Sequence, residues 1–250
     1  MEHQLFDQTY EKPTNVIEPV IENKVDILAM SRYEMKYVLT KAQLDHLKKF
    51  LSLYMKVDEY GKTSVASIYY DTPDRRIIRN SIEKPAYKEK IRLRSYGLAN
   101  KDSKVFLELK RKVCGVVYKR RISLKEDEVD SVLQEKSGDT QISKEIVYFS
   151  SFYKKLVPAF LIIYDRTAYF DPHSDLRLTL DENPRYRVQE LNLHTSMEGE
   201  PLLKDEGAIL EIKVQGAMPL WLTNVLSNQK IFQTSFSKVG EAYKKEMLNA

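Results

Sequence analysis

The side chains best placed to do chemistry in this sequence are arginines and lysines two residues apart, alternating with aliphatic residues. "IRLR" sets Arg92 and Arg94 against Ile91 and Leu93, and "FLELKRK" sets Glu108, Lys110 and Lys112 against Leu107 and Leu109. "RYEMKYVL" puts Glu34 and Lys36 in one register with Arg32, and Tyr33, Met35 and Tyr37 in the other. "LRLTLD" alternates Leu176, Leu178 and Leu180 with Arg177, Thr179 and Asp181, and "LEIKV" alternates Leu210, Ile212 and Val214 with Glu211 and Lys213. "IIYDRTA" carries Arg166 in the register of Tyr164. A spacing of two on a strand puts such residues on one face of the pleat. Forked guanidinium and compact ammonium groups suit phosphate oxygens. Interspersed carboxylates offer hard oxygen ligands for Mg²⁺ or Mn²⁺.

Two arrangements accommodate these rows. A solvated face of an antiparallel sheet would carry them in water. Alternatively, the amphipathic helices cover the outside of a closed sheet and the charged rows face inward. Eight strands in a barrel leave an interior able to hold a small ligand. Cations gathered there repel one another at low dielectric, so that interior must be wet, partly neutralised by Glu, or filled by a polyanion.

The elements that must position these residues follow from periodicity. In "KAQLDHLKKFLSLY", Leu44, Leu47, Leu51 and Tyr54 share a helical face. "SVASIYYDTPD" reads as a strand ending in a Thr72 cap with Pro73 at the first helical position, followed by a helix over "DRRIIRNSIEK". "YKEKIRLRSY", "SKVFLELKRK" and "GVVYKRRISL" are strands with short links, as in hairpins. A helical stretch from 125 to 156, interrupted near Gly138, precedes a strand pair turning at Pro172-His173. "AILEIKVQ" is a late strand, and "PLWLTNVLSN" and the segment from Ser237 to Leu248 are closing helices. Residues 1–28 read as a flexible lead, and residues 29–250 as a single α+β domain.

The 250 residues suffice to bury a core, and a net charge of +4 is too mild for a protein that coats duplexes. No strand offers the paired aromatics of common RNA modules, so no nucleic-acid partner is expected. The single Cys114 excludes an intrachain disulfide framework and fits a reducing, cytoplasmic location. His3, His46, His173 and His194 lack zinc-ligand spacing. No run approaches the roughly 20 apolar residues of a membrane span, and no secretory signal is visible.

The segments "RYEMKYVL", "SIYYDTPD", "KIRLRSYG", "VFLELKRK", "YDRTAYF", "LRLTLD", "ILEIKV" and "SFSKVGEAY" resemble, in this order, VTC-type polyphosphate polymerase domains of the triphosphate tunnel metalloenzyme (CYTH-like) superfamily. The resemblance covers the chain from about residue 30 to its end. It implies an eight-stranded antiparallel β-barrel, the tunnel, with helices packed outside. It also implies transfer of the ATP γ-phosphoryl group to a growing polyphosphate chain, with Mn²⁺ or Mg²⁺.

By motif position, the resemblance makes Lys36, Arg92, Arg94, Lys110, Arg166 and Lys238 phosphate ligands and Glu211 the metal ligand. Arg177 and Lys213 become additional lining, and Glu34 and Glu108 secondary carboxylates. ATP and inorganic polyphosphate are the implied partners. A membrane protein that draws the product across a bilayer would place the chain at the inner face of the membrane.

Two positions depart from the pattern. Arg32 stands where hydrolytic members carry the first Glu of Glu-x-Glu-x-Lys, which argues against two-metal water activation. Ser235 stands where some polymerases carry a further Lys. A tripolyphosphatase or nucleoside triphosphatase of the same fold, and a non-catalytic polyphosphate-binding sensor, are the rival readings.

Overall fold

Alternating aliphatic and polar residues form one antiparallel sheet, and helices pack on its aliphatic rows. The computed structural model describes residues 33–114, 116–134 and 139–249. The expected lead over residues 1–28, Arg32 and the helix break at Gly138 therefore lie outside the described residues. In chain order the elements are β1 (Tyr33–Leu39), α1 (Lys41–Tyr54), β2 (Lys56–Asp71), α2 (Arg76–Ile82), β3 (Tyr87–Tyr96), β4 (Val105–Val113) and β5 (Val116–Leu124). A 3₁₀ turn (Glu126–Glu128) follows, then α3 (Val129–Gln134), α4 (Gln141–Tyr153), β6 (Val157–Phe170), β7 (Arg177–Arg187) and a two-residue β8 (Glu200–Pro201). β9 (Ala208–Val214), α5 (Leu220–Asn228) and α6 (Lys238–Asn249) complete the described chain.

The strands run in the order β1-β9-β7-β6-β2-β3-β4-β5, every ladder is antiparallel, and β8 adds to β7. Residues opposite one another in a ladder share a face. On one face Tyr37, Leu210 and Leu180 line up beneath α1 and α5. Farther along it Leu161, Ile68, Leu93 and Leu107 line up beneath α3 and α4. α1, α3, α4 and α5 thus cover these aliphatic rows, whereas on the opposite face, which carries the charged rows, Val239 and Ala242 of α6 pack in one cluster with Val65, Ile162 and Tyr164.

α1 begins with a capping box in which Thr40 and Gln43 exchange side-chain bonds with backbone amides. Leu44, Leu47 and Leu51 are fully buried, whereas Tyr54 is half-exposed and stacks on Trp221 of α5 at 4.6 Å.

The start of α2 differs from the sequence expectation. Pro73 lies in the turn before the helix, and Arg75 at the cap position adopts a left-handed backbone with φ 61°. The cap comes instead from the end of β2. The Thr72 hydroxyl accepts from the Arg76 amide, and the buried Asp71 carboxylate accepts from the amides of Thr72, Ile77 and Ile78.

The closed barrel is also corrected. β1 and β5 end the strand order, and no ladder joins them among the described residues. The outer edge of β1 is already engaged, which leaves no place there for β5: the Thr234 amide donates to the Lys36 carbonyl at 2.8 Å, and Tyr37 bridges to Gln233.

Candidate functional site

Ladder registers place charged residues of seven strands, with Thr63, Ser67 and Tyr69 of β2 between them, on one continuous face. Across β1, β9 and β7, Lys36 and Thr179 lie opposite Glu211, and Glu34 and Arg177 lie opposite Lys213. Asp181 is opposite Arg166 of β6, which is opposite Thr63 of β2. Ser67 and Tyr69 of β2 face Arg94 and Arg92 of β3. Arg92 then faces Glu108 of β4, and Glu108 faces Arg121 of β5. The face is rolled, because Thr234 bonds to the edge of β1 and Ser237, three residues on, accepts from Lys90 of β3. At roughly 4.8 Å per strand, β1 and β3 would lie about 24 Å apart in a flat sheet of this order.

The centre of the face is buried and strongly basic. Arg92 donates to Glu108 through Nε at 2.8 Å and to the Tyr69 hydroxyl through Nη1 at 2.8 Å. Arg94 donates to the Ser67 hydroxyl at 3.2 Å and the Tyr164 hydroxyl at 3.0 Å, and reaches Glu108 at 3.8 Å. Lys119 of β5 holds the second Glu108 oxygen.

Burial alone would raise the Glu108 carboxyl, but Arg92, Arg94 and Lys119 outweigh it and hold it at about 2. Burial would likewise raise the Tyr69 phenol, yet Arg92, Lys90, Arg94 and Lys110 bring it down to about 7. Lys110 is pushed down to about 7, first by burial and then by Arg92. Burial also takes Lys90, whose ammonium donates to the Ser237 hydroxyl at 3.0 Å, down to about 8. A site that depresses its own lysines and a phenol together carries more positive charge than its carboxylates neutralise.

The β1-β9-β7-β6 side is better balanced. Glu211 lies 2.9 Å from Lys213 and 3.7 Å from Lys36, which also pairs with Glu34 at 3.4 Å. Burial would raise Glu211, but Lys213 and Lys36 hold it at about 2. Buried Asp181 takes the fork of Arg166 through bonds of 2.6 and 2.8 Å and also pairs with Lys238, the first residue of α6. The Lys238 ammonium lies 4.3 Å from the centre of the Tyr164 ring.

The structure thus brings Arg92, Arg94, Lys110 and Glu108 into one cluster, and Lys36, Glu34, Glu211 and Lys213 into a second. Arg166 and Lys238 form a third around Asp181. Arg177 is exposed at the end of its strand. A cleft of about 580 Å³ lined by Arg185, Leu203 and Lys245 lies away from these clusters.

Glu34 and Glu211 share Lys36, whereas Glu108 is enclosed by Arg92 and Lys119. Among the described residues no three acidic, His or Cys side chains gather into a metal cage. The pair Glu34 and Glu211 still suits an ion of the Mg²⁺ kind, which takes one or two carboxylates and completes its shell with water and substrate phosphates.

Sequence reasoning did not assign Lys90, Lys119, Asp181 or Tyr69 to the site. Lys90 obeys the same two-residue alternation as Arg92 and Arg94, and that signal could have found it, whereas no residue on the strand of Lys119 was assigned. Asp181 stood in a charged row, but its partner Lys238 comes from a helix that no strand pattern links to it.

No curated protein matches the chain significantly. A Bacillus halodurans protein provisionally named an adenylate cyclase has a similar structure, at 14% identity and a TM-score of 0.51, over 83% of this chain and 96% of that one. A Hippeastrum protein also provisionally named an adenylyl cyclase, and described as having a dominant triphosphatase activity, matches at 16% identity and a TM-score of 0.48. That match spans 84% of this chain and 93% of the other. At such identities the first likeness shows a shared fold alone. The VTC domain family matches residues 31–247, which takes in every strand and ion-pair cluster just described, and the chain belongs to that family.

Proposed function

We propose that this protein is a polyphosphate polymerase that transfers the γ-phosphoryl group of ATP to the end of a polyphosphate chain. The observation that carries this reading is the buried, under-neutralised centre of the charged face. There Lys90 and Lys110 have no carboxylate partner among the described residues, and Arg94 is bonded to hydroxyl groups. Such a centre is completed by an anion of several charges, and membership of the VTC domain family supports a phosphate chain as that anion.

Phosphoryl transfer asks a protein chiefly for alignment and charge neutralisation. Arg94, Lys110 and Lys90 hold the triphosphate, and Arg92 stays braced by Glu108 and Tyr69. Lys36, Lys213, Arg166 and Lys238 are the flanking cations that a chain of phosphates would draw from their present carboxylate partners. Glu211, with Glu34 beside it, would hold Mg²⁺ or Mn²⁺, which neutralises charge across the bound phosphates. The terminal oxygen of the polyphosphate chain attacks the γ-phosphorus in line, the bond to the bridging oxygen breaks, and ADP leaves. The acceptor oxygen is already ionised, so no general base is required.

Incubation of the purified protein with ATP and Mn²⁺ should give ADP and long phosphate chains in equal phosphoryl count, resolved by gel and by phosphorus NMR. Orthophosphate without polymer would replace this reading with a triphosphatase. Tight binding of polyphosphate without turnover under several metals would replace it with a sensor.

A further inference from the structure

The β3–β4 hairpin carries two successive cross-strand pairs of like charge on the charged face, Lys90 opposite Lys110 and Lys88 opposite Lys112. Like charges directly opposite one another destabilise a sheet. Elsewhere the same hairpin pairs base with acid. Arg92 is opposite Glu108 on this face, and on the other face Glu89 is opposite Arg111 and bonded to it at 3.3 Å. The uncompensated pairs are therefore local to one end of one face. They are also graded in burial, from the enclosed Arg92 through half-buried Lys90 and Lys110 to half-buried Lys88 and exposed Lys112.

From Arg92 to Lys88 the strand advances about 13 Å. Lys84, in the turn before β3, adds its charge to Lys88, as does Lys36 from β1. Burial and these neighbours, Lys112 first among them, lower the Lys88 ammonium from its ordinary value. On the facing strands Glu34, Glu211 and Glu108 pair with Lys36, Lys213, Arg92 and Lys119. Lys88 and Lys112 have no carboxylate partner among the described residues.

From this pattern we infer that Lys88 and Lys112 form a second anion subsite, a track that holds the tail of an extended polyphosphate chain outside the reacting centre. This rests on the polymerase reading above and adds to it a direction: the reacting end meets the triphosphate at Lys90 and Lys110, and the tail runs outward past them along the β3–β4 hairpin. A compact triphosphate at the centre does not reach the track, while a chain of tens of phosphates does. The subsite therefore discriminates by length. An RNA strand presents its charges farther apart along a bulky sugar chain and fits two closely spaced lysine rows less well.

The test is the Lys112→Glu variant, which sets a carboxylate opposite Lys88 and so makes the outer pair complementary. Its melting temperature should rise relative to the wild type. In a competition assay, its affinity for long-chain polyphosphate should fall at least about fivefold, while its affinity for tripolyphosphate stays within about twofold. Lys88→Ala should show the same length-selective loss. An unchanged preference for long over short chains in both variants would overturn the track and leave the polymerase reading standing. A wild type that binds neither chain length would overturn both. Loss of poly(U) binding with retained long-chain polyphosphate binding would reassign the lysine rows to RNA and overturn the track.

Discussion

The two halves of the charged face solve the same electrostatic problem in opposite ways. On β1, β9, β7 and β6, nearly every base has an acid: Lys36 and Lys213 have Glu211, and Arg166 and Lys238 have Asp181. On β3, β4 and β5, Glu108 is the acid that Arg92, Arg94 and Lys119 share, and Lys88, Lys90, Lys110 and Lys112 go without one among the described residues. The first half is organised by its own ion pairs before any ligand arrives. The second half holds its cations apart with strands and hydroxyl groups, and its surplus charge is what an anion would relieve.

Breaking the anchor of the second half should have the largest effect. Glu108 is completely enclosed, so Glu108→Leu strands Arg92 as a buried uncompensated charge. Removing one partner of a buried pair costs about 3–5 kcal/mol. Urea unfolding should show that loss, whereas Glu34→Gln, on a half-exposed side chain of the first half, should change stability by under about 0.5 kcal/mol.

Arg94→Ala should come next. Turnover should fall about 10²–10³-fold, as when one preorganised donor is removed. The fold should stay intact or gain stability, because one buried like charge is gone; ADP release and thermal melting measure the two together.

The third contrast is one of protons. Lys90, Lys110 and Tyr69 all have folded pKa values below their ordinary ones. Between about pH 7 and 10 the unfolded chain therefore binds more protons at these groups, and stability rises with pH across that window. The free protein should melt higher at pH 9 than at pH 7, by these groups, and bound tripolyphosphate should shrink the difference. Binding at pH 8 should take up protons, because a phosphate chain raises all three pKa values. Calorimetry in buffers of different ionisation enthalpy checks this, and release of protons would contradict it.

The smallest effect belongs to Arg177→Ala. Its side chain is exposed at a strand end, so turnover should change less than about twofold and stability by under about 0.5 kcal/mol.

Much of this face was legible in the sequence because strand periodicity is strict. Arg92, Arg94, Glu108 and Lys110 sit on one face for the same reason that Ile91, Leu93, Leu107 and Leu109 sit on the other. The helix over "KAQLDHLKKFLSLY" was legible from its apolar spacing, and the closing helix expected from Ser237 to Leu248 forms over Lys238–Asn249. What alternation does not encode is pairing between distant elements. Nothing in "LRLTLD" announces that Asp181 will meet Lys238, and nothing in "RYEMKYVL" announces that Thr234 will occupy the outer edge of its strand. The cap of α2 was missed for a related reason. Thr-Pro suggests a local start, whereas the carboxylate of Asp71, six and seven residues back, takes the Ile77 and Ile78 amides.

That carboxylate has a consequence for how the molecule opens. It joins the end of β2, two residues beyond Tyr69, to the first turn of α2 by hydrogen bonds that water does not reach. Helix and strand then share one cooperative unit, and deuterium should enter the Ile77 and Ile78 amides at the pace of the central strands, far slower than short helices ordinarily allow.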